Sequence, residues 1–312
     1  MKKNKIIRWK RNDKNKKKID DMKILISCLN LNNIAGSELY HYELCRELKL
    51  LGNDITLLTI RTIDPNFELR IKLNEIGVKQ VDLSTLNNKE QYDIIVASQP
   101  QSNYYLTNHY QTNSPIVSII HSEIRSEDPI LHSRIKHYIS IRESISKLLT
   151  QDYRIPENKI SLIYNPIDQS RYCLDNTQKY EKYTGIFVGE VLDNIRTQAV
   201  DHLVESCIEN DWNLLLMSES KKDYNHPNIK YIPKTLYTEN EVKKCHFTAG
   251  ILMGRTTLEG WSCGLSGYMY NIDQDGNILS VETQKPKDIV KLCNSRYVAE
   301  QHLSLYKQLT LS

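Results

Sequence analysis

The run Gly254-Arg255-Thr256-Thr257-Leu258-Glu259-Gly260-Trp261-Ser262-Cys263-Gly264 has the residue types needed to hold a nucleotide. It follows an apolar segment, Ala249 to Met253, that reads as a strand. A strand that ends at glycine and turns into a helix offers backbone N–H groups and a positive dipole end to an anion. A carboxylate on that helix, here Glu259, can accept hydrogen bonds from a ribose diol. The plainer reading is a surface helix whose acid suits the dipole.

Three more loops fall where strands should end. Gly36-Ser37 follows the first apolar run, and a glycine there lets backbone approach a ligand closely. His121 follows Pro115–Ile120 directly and precedes Ser122-Glu123; the competing reading is a structural histidine. Gly189 to Arg196 follows Gly185–Val188. Arg196 falls at or near a helix start, where a guanidinium can pair with a diphosphate through two parallel bonds; otherwise it is a solvated surface arginine.

No metal site is expected. Asp273-Gln274-Asp275 has the spacing of a metal-binding acid pair, but Gly276 and the late position make it read as a turn. Cys245 and His246 are adjacent, which is poor spacing for two ligands of one ion. The seven cysteines form no CxxC pair and are odd in number, so they read as reduced, intracellular thiols.

Strands and helices must alternate to place these loops. Lys23–Leu29 reads as a buried parallel strand, and a helix opened by Ser37 carries Tyr40, Leu44, Leu48 and Leu51 before Gly52 closes it. Strands are expected at Asp54–Thr59, Lys79–Leu83, Tyr92–Ala97, Pro115–Ile120 and His137–Ile141, with a helix over Ser144–Leu149. Asn165-Pro166-Ile167-Asp168 opens a polar stretch to Lys182, the seam between two domains. A second alternation follows: strand Gly185–Gly189, helix Ala199–Ile208, then strands at Trp212–Met217, Ile229–Ile232, Ala249–Met253 and Tyr268–Ile272. Helices are expected over Pro286–Cys293 and Tyr297–Leu309. The pattern predicts two α/β domains with parallel sheets, over residues 22–168 and 180–295. Residues 296–312 would form a helix that packs back on the first domain. Such a pair places its ligand crevice between the domains, at the strands' C-terminal ends.

A chain of 312 residues suits two domains. The net charge of +3 hides an asymmetry: residues 1–18 carry a net +9 and the remainder a net −6. The arm, 1–21, is too polar to pack, lacks the apolar core of a secretory signal, and reads as disordered. It could touch an anionic membrane, at about 1 kcal/mol per basic residue; the competing reading is a solvated tail. No apolar run is long enough to span a bilayer. A cytoplasmic protein is expected, peripheral to a membrane if the arm binds lipid. The acidic body argues against a nucleic-acid partner.

The order of these pieces resembles the GT-B glycosyltransferases, especially the retaining family 4 type. The resemblance covers about residues 22–295. Ala35-Gly36-Ser37-Glu38 and Leu51-Gly52-Asn53-Asp54-Ile55-Thr56 are similar to that family's Gly–Glu helix and following strand. The segments from Ile139, Tyr153 and Ile163, the last reading Ile163-Tyr164-Asn165-Pro166-Ile167-Asp168, resemble its approach to the interdomain linker. Phe187-Val188-Gly189 and Gly254-Arg255 with Leu258-Glu259-Gly260 look like its two donor-site loops.

The resemblance implies two Rossmann-like domains, the first for the acceptor and the second for the nucleotide-sugar donor. Glu259 would hold the ribose, Arg196 would stand in for the family's lysine on the diphosphate, and His121 would sit near the transferred sugar. Gly36, Ser37, Gly189, Gly254 and Arg255 would line the donor site, with no cofactor and no metal. The implied activity is that of a hexosyl- or other glycosyltransferase. A sugar would pass with retention from a nucleoside diphosphate to a hydroxyl of a glycan, lipid-linked or protein acceptor.

Two positions depart from the pattern. Glu190 stands where the family has an arginine, and Ile251 where it has an acid eight positions before Glu259. They keep a catalytically inactive carbohydrate- or nucleotide-binding protein open as an alternative, beside a sugar-nucleotide epimerase of the same shape.

Overall fold

The computed structural model describes residues 21–61, 64–124, 127–192 and 195–311. The basic arm, apart from Asp21, lies outside them, as do Asp193 and Asn194 of the loop that leads to Arg196.

The first domain alternates β1 (Lys23–Cys28), α1 (Gly36–Leu50), β2 (Asp54–Thr59), α2 (Glu68–Glu75), β3 (Lys79–Asp82), β4 (Ile94–Ser98), α3 (Pro100–Asn108), β5 (Ile116–Ile120), β6 (Ile135–Ser140), α4 (Glu143–Gln151) and β7 (Ile160–Leu162). All strands run parallel in the order β3-β2-β1-β4-β5-β6-β7. Central strands β1, β4 and β5 are buried almost throughout, as both-face coverage by helices requires.

The second domain follows with β8 (Thr184–Val188), α5 (Thr197–Glu209), β9 (Asn213–Met217), β10 (Ile229–Ile232), α6 (Glu239–Val242), β11 (Phe247–Ile251), α7 (Arg255–Ser262), β12 (Ser266–Ile272), β13 (Ile278–Glu282), α8 (Ile289–Leu292) and α9 (Ser295–Thr310). Its sheet order is β10-β9-β8-β11-β12-β13. The edge strand β13 pairs antiparallel to β12, so this sheet is not parallel throughout. Two α/β domains in series are what the alternation predicted.

Several details differ from expectation. Ala35, not Ser37, is the N-cap of α1, and the Ser37 hydroxyl donates to Glu38 Oε2 at 2.7 Å instead. The strand expected at 249–253 starts at Phe247 and stops at Ile251, because Leu252 takes a left-handed φ of 56° and starts the turn into α7. The helix expected over 286–293 is only the single turn α8. Helices α2, α3 and α6 and strands β7 and β13 are additional elements.

The chain crosses between domains twice, and the two crossings are hydrogen-bonded together. Ile167 N donates to Cys293 O at 2.7 Å, and Ser295 N to Ile167 O at 3.0 Å. Helix α9 then lies against α1 in the first domain, where Val298, Ala299, Leu303 and Tyr306 join its core. Its polar contacts there are buried: Tyr40 Oη meets His302 Nε2 at 2.8 Å, and His302 Nδ1 meets Tyr306 Oη at 2.8 Å.

Candidate active site

The strand order reverses between β1 and β4 in the first sheet and between β8 and β11 in the second. Loops at such switch points diverge and leave a crevice. The two crevices meet in one interdomain cleft of about 660 Å³. That is within the size range of small-molecule sites, roughly 300–1,000 Å³.

All eight residues singled out from the sequence line this cleft. Gly36, Ser37 and His121 come from the first domain; Gly189, Arg196, Gly254, Arg255 and Glu259 come from the second. The N-termini of α1, α5 and α7 therefore converge there, and none has a side-chain cap. A Cβ built on Gly36 would meet no atom within 4 Å, so the space before that helix start is open.

Helix α7 is seated on β11 with unusual closeness. A Cβ on Gly260 would lie 2.0 Å from Thr248 Oγ1, and one on Gly250 would lie 2.2 Å from Thr257 Oγ1. The two glycines let helix and strand interlock, which fixes the height of Glu259 above the sheet. Thr256 Oγ1 donates to Val188 O at 3.1 Å, so the first turn of α7 is tied to the end of β8.

Glu259 is 3 % exposed and Arg255 is 8 % exposed. Arg255 Nε donates to Glu259 Oε1 at 3.1 Å, Nη1 to Pro166 O at 2.8 Å, and Nη2 to Glu43 Oε1 at 2.8 Å. Arg255 lines the cleft, and its guanidinium is engaged by protein acceptors there. A fully desolvated guanidinium must spend its donors on protein acceptors, and here those come from α1, the linker and α7. Arg46 of α1 adds a second grip on the linker, with Nη1 2.6 Å from Asp168 Oδ2.

Arg196 is the N-cap of α5. Burial raises the Glu127 carboxyl in the first domain, and the Arg196 guanidinium opposes that rise, so its charge acts across the cleft. His121 packs edge-on against Tyr40, with ring centroids 4.8 Å apart, and lies 5.5 Å from His41. Its Nε2 is buried and finds no hydrogen-bond partner among the described residues. Burial, then the neighbouring His41 and Arg142, holds its pKa well below the usual imidazole value, so the ring is neutral at pH 7. On the same wall Arg142 Nε donates to Glu123 Oε1 at 2.8 Å, and Arg142 Nη2 and Ser144 Oγ also bond that carboxylate.

The sequence reading did not find Lys234. It lines the cleft two residues after β10 and pairs with Glu190. The signal was present, since the loop after every parallel strand in this layout points to the same side. Ile251 also lines the cleft, one of several apolar side chains there, at the position where the resemblance leads one to expect an acid. The Asp273 carboxylate accepts from Asp275 N at 2.9 Å, Asn277 N at 2.8 Å and Asn277 Nδ2 at 2.8 Å, which is the capped turn expected from Gly276. Among the described residues no cluster of three or more His, Cys, Asp or Glu could hold a metal ion, and no helix is long and apolar enough to cross a membrane.

Residues 34–171 match the family model Glycosyltransferase Family 4. The structure resembles a glycosyltransferase from Rickettsia africae with a TM-score of 0.66 at 13 % identity, covering 93 % of this chain and 99 % of that one. It also resembles Anabaena HepE in complex with UDP-glucose, with a TM-score of 0.63 at 12 % identity, covering 92 % and 98 %. AviGT4, a glycosyltransferase involved in avilamycin A biosynthesis, gives 0.61 at 12 % identity, covering 93 % and 98 %. Comparison with curated proteins finds no match. The fold is that of the GT-B glycosyltransferases, and the resemblance to family 4 holds in the first domain.

Proposed function

We propose, from a chain that has the GT-B fold and whose residues 34–171 match glycosyltransferase family 4, that the protein moves a sugar from a nucleoside diphosphate to a hydroxyl acceptor with retention. The observation that carries the reading is the convergence of three helix N-termini, Arg196 and Glu259 on one interdomain cleft. HepE, solved with UDP-glucose, supports a nucleotide sugar as the ligand class.

In this reading Glu259 accepts bonds from the ribose hydroxyls, and Arg255 holds its carboxylate in place. The diphosphate lies between the helix starts at Gly36, Arg196 and Gly254. As the bond from the anomeric carbon to the diphosphate breaks, its electron pair passes to the phosphate oxygen. The added charge meets Arg196 and the helix dipoles. The acceptor oxygen bonds to the same face of the anomeric carbon, and its proton passes to the departing phosphate. His121, neutral at pH 7, has a free nitrogen for a sugar hydroxyl. Two domains closing on the donor would exclude water and limit its hydrolysis.

A thermal-shift screen against UDP, GDP, ADP, dTDP and CDP, with and without sugars, tests the reading. A ligand at 100 times its dissociation constant should stabilise by about 2.7 kcal/mol. No shift with any of the five would overturn it. The apolar Ile251 in the cleft favours a second reading, a binder without activity. Saturable donor binding with neither transfer nor hydrolysis would select that one.

A further inference from the structure

Glu190 presents a difficulty for a cleft that takes a diphosphate, because it adds a carboxylate to the wall right after Gly189. A like charge at that place disfavours an anionic ligand. The structure places an ammonium against it. Lys234 Nζ bonds Glu190 Oε1, and Glu219 Oε1 lies 4.0 Å from the same nitrogen. The Lys234 side chain is 11 % exposed. The other Glu190 oxygen, Oε2, accepts from Ser220 N at 3.1 Å and Ser218 Oγ at 3.4 Å.

Two features separate this pair from a plain structural salt bridge. First, Glu190 has its own donors on the loop after β9, so it is not left unpaired if the ammonium departs. Second, the ammonium acts across the cleft. Burial raises the Glu38 carboxyl in the first turn of α1, and Lys234 is among the groups that oppose the rise. Lysine, a compact charge on a four-carbon stem, can change partners without moving its backbone. Two of the cleft's arginines are differently placed: Arg255 is held by three protein acceptors and Arg142 by Glu123, while Arg196 stands at the start of α5.

We propose that Lys234 is a diphosphate-binding residue of this cleft, held on Glu190 while the site is empty and transferred to the diphosphate when the donor binds. Glu190 thereby keeps the resting pair near neutral and competes with the ligand for the ammonium. This rests on the reading that the cleft takes a nucleoside diphosphate, and it adds a residue and an exchange of partners to that reading.

The test is calorimetric titration of the intact protein with whichever of the five nucleoside diphosphates binds best, beside the matching nucleoside without phosphates. Lys234→Met should weaken diphosphate binding by about 10–100-fold, the range of one charged hydrogen bond, and leave nucleoside binding unchanged. Glu190→Gln should tighten diphosphate binding, because the competitor is removed. If Glu190→Gln weakens binding as Lys234→Met does, the pair is only a structural clamp and the proposal is overturned. It is equally overturned if Lys234→Met binds like the unmodified protein. Should Lys234→Met fail to fold, the sign of the Glu190→Gln effect decides alone. An unmodified protein that binds none of the five would instead remove the underlying reading.

Discussion

Arg255 Nη2 lies 2.8 Å from Glu43 Oε1, joining α1 of one domain to α7 of the other across 212 positions of chain. The same guanidinium holds Glu259, 3.0 Å away. The carboxylate proposed to hold the ribose is therefore oriented from the opposite domain, through one buried cation.

Removing that cation should be costly. Glu43 is fully buried, and its Oε2 has no partner among the described residues, so Arg255→Ala would strand its charge. We expect a loss of about 3–5 kcal/mol in denaturant unfolding, as for a broken buried ion pair. The double variant Glu43→Ala/Arg255→Ala should lose less than the two single losses added together. Strict additivity would show that the pair is not coupled.

Glu259 and Arg196 should separate kinetically. Ribose contacts persist from ground state to transition state, so Glu259→Gln should mainly weaken donor binding. Some stability should go with it, because Arg255 loses a charged acceptor. Charge on the diphosphate grows during transfer, so Arg196→Ala should lower turnover by about 10²–10³. Undiminished nucleoside-diphosphate binding by Glu259→Gln would show that the nucleotide lies elsewhere.

Transfer should survive EDTA. Arg196 and Lys234 supply cationic charge in the cleft, and the Asp273 carboxylate is engaged within its own turn. Activity abolished by EDTA and restored by Mn²⁺ would move the weight to Asp273 and Asp275.

Gly260→Ala should act at a distance of one residue from Glu259. The new Cβ would lie 2.0 Å from Thr248 Oγ1, so α7 must lift or Thr248 must turn. Overpacking of this kind costs about 1–3 kcal/mol. Donor affinity should fall with it, and Thr248→Ala should recover part of both losses. An unchanged melting temperature and affinity would mean that the seating of α7 is not critical.

Acid should loosen the packing of α1 against β4, through His41, and against α9, through His302. Burial depresses the pKa of His41 to about 4 and of His302 to about 3. The unfolded chain then takes up protons first as pH falls below about 6.5, so stability is full above that value and is lost towards pH 4. By pH 5 each imidazole should cost on the order of 2 kcal/mol. Urea midpoints from pH 7 to 5 should fall in the unmodified protein and fall less in His302→Gln, which cannot titrate there. Parallel curves for the two would assign the acid sensitivity to other groups.

Much of the fold was written in the local pattern. Short apolar runs such as Leu25–Cys28 and Leu214–Met217 are buried on both faces, so they appear as continuous strands bounded by polar loops. The glycines and chargeable residues that follow such runs mark strand ends, and eight of them were placed in one cleft by the rule that parallel strands end on the same side. Helices such as α2 and α3 were less legible, because their polar faces dilute the apolar repeat within eight or nine residues.

Partnership was beyond the sequence. Whether Arg255 serves a ligand or the fold depends on Glu43 and Pro166, which reach it only when two domains pack. Whether Glu190 is a misplaced charge or half of a pair depends on Lys234, brought alongside by the order of three strands. Residue type and spacing determine which groups end up at the cleft. Desolvation and long-range packing determine which of them are spent on each other, because the energy of a charge is set by what surrounds it and not by its place in the chain.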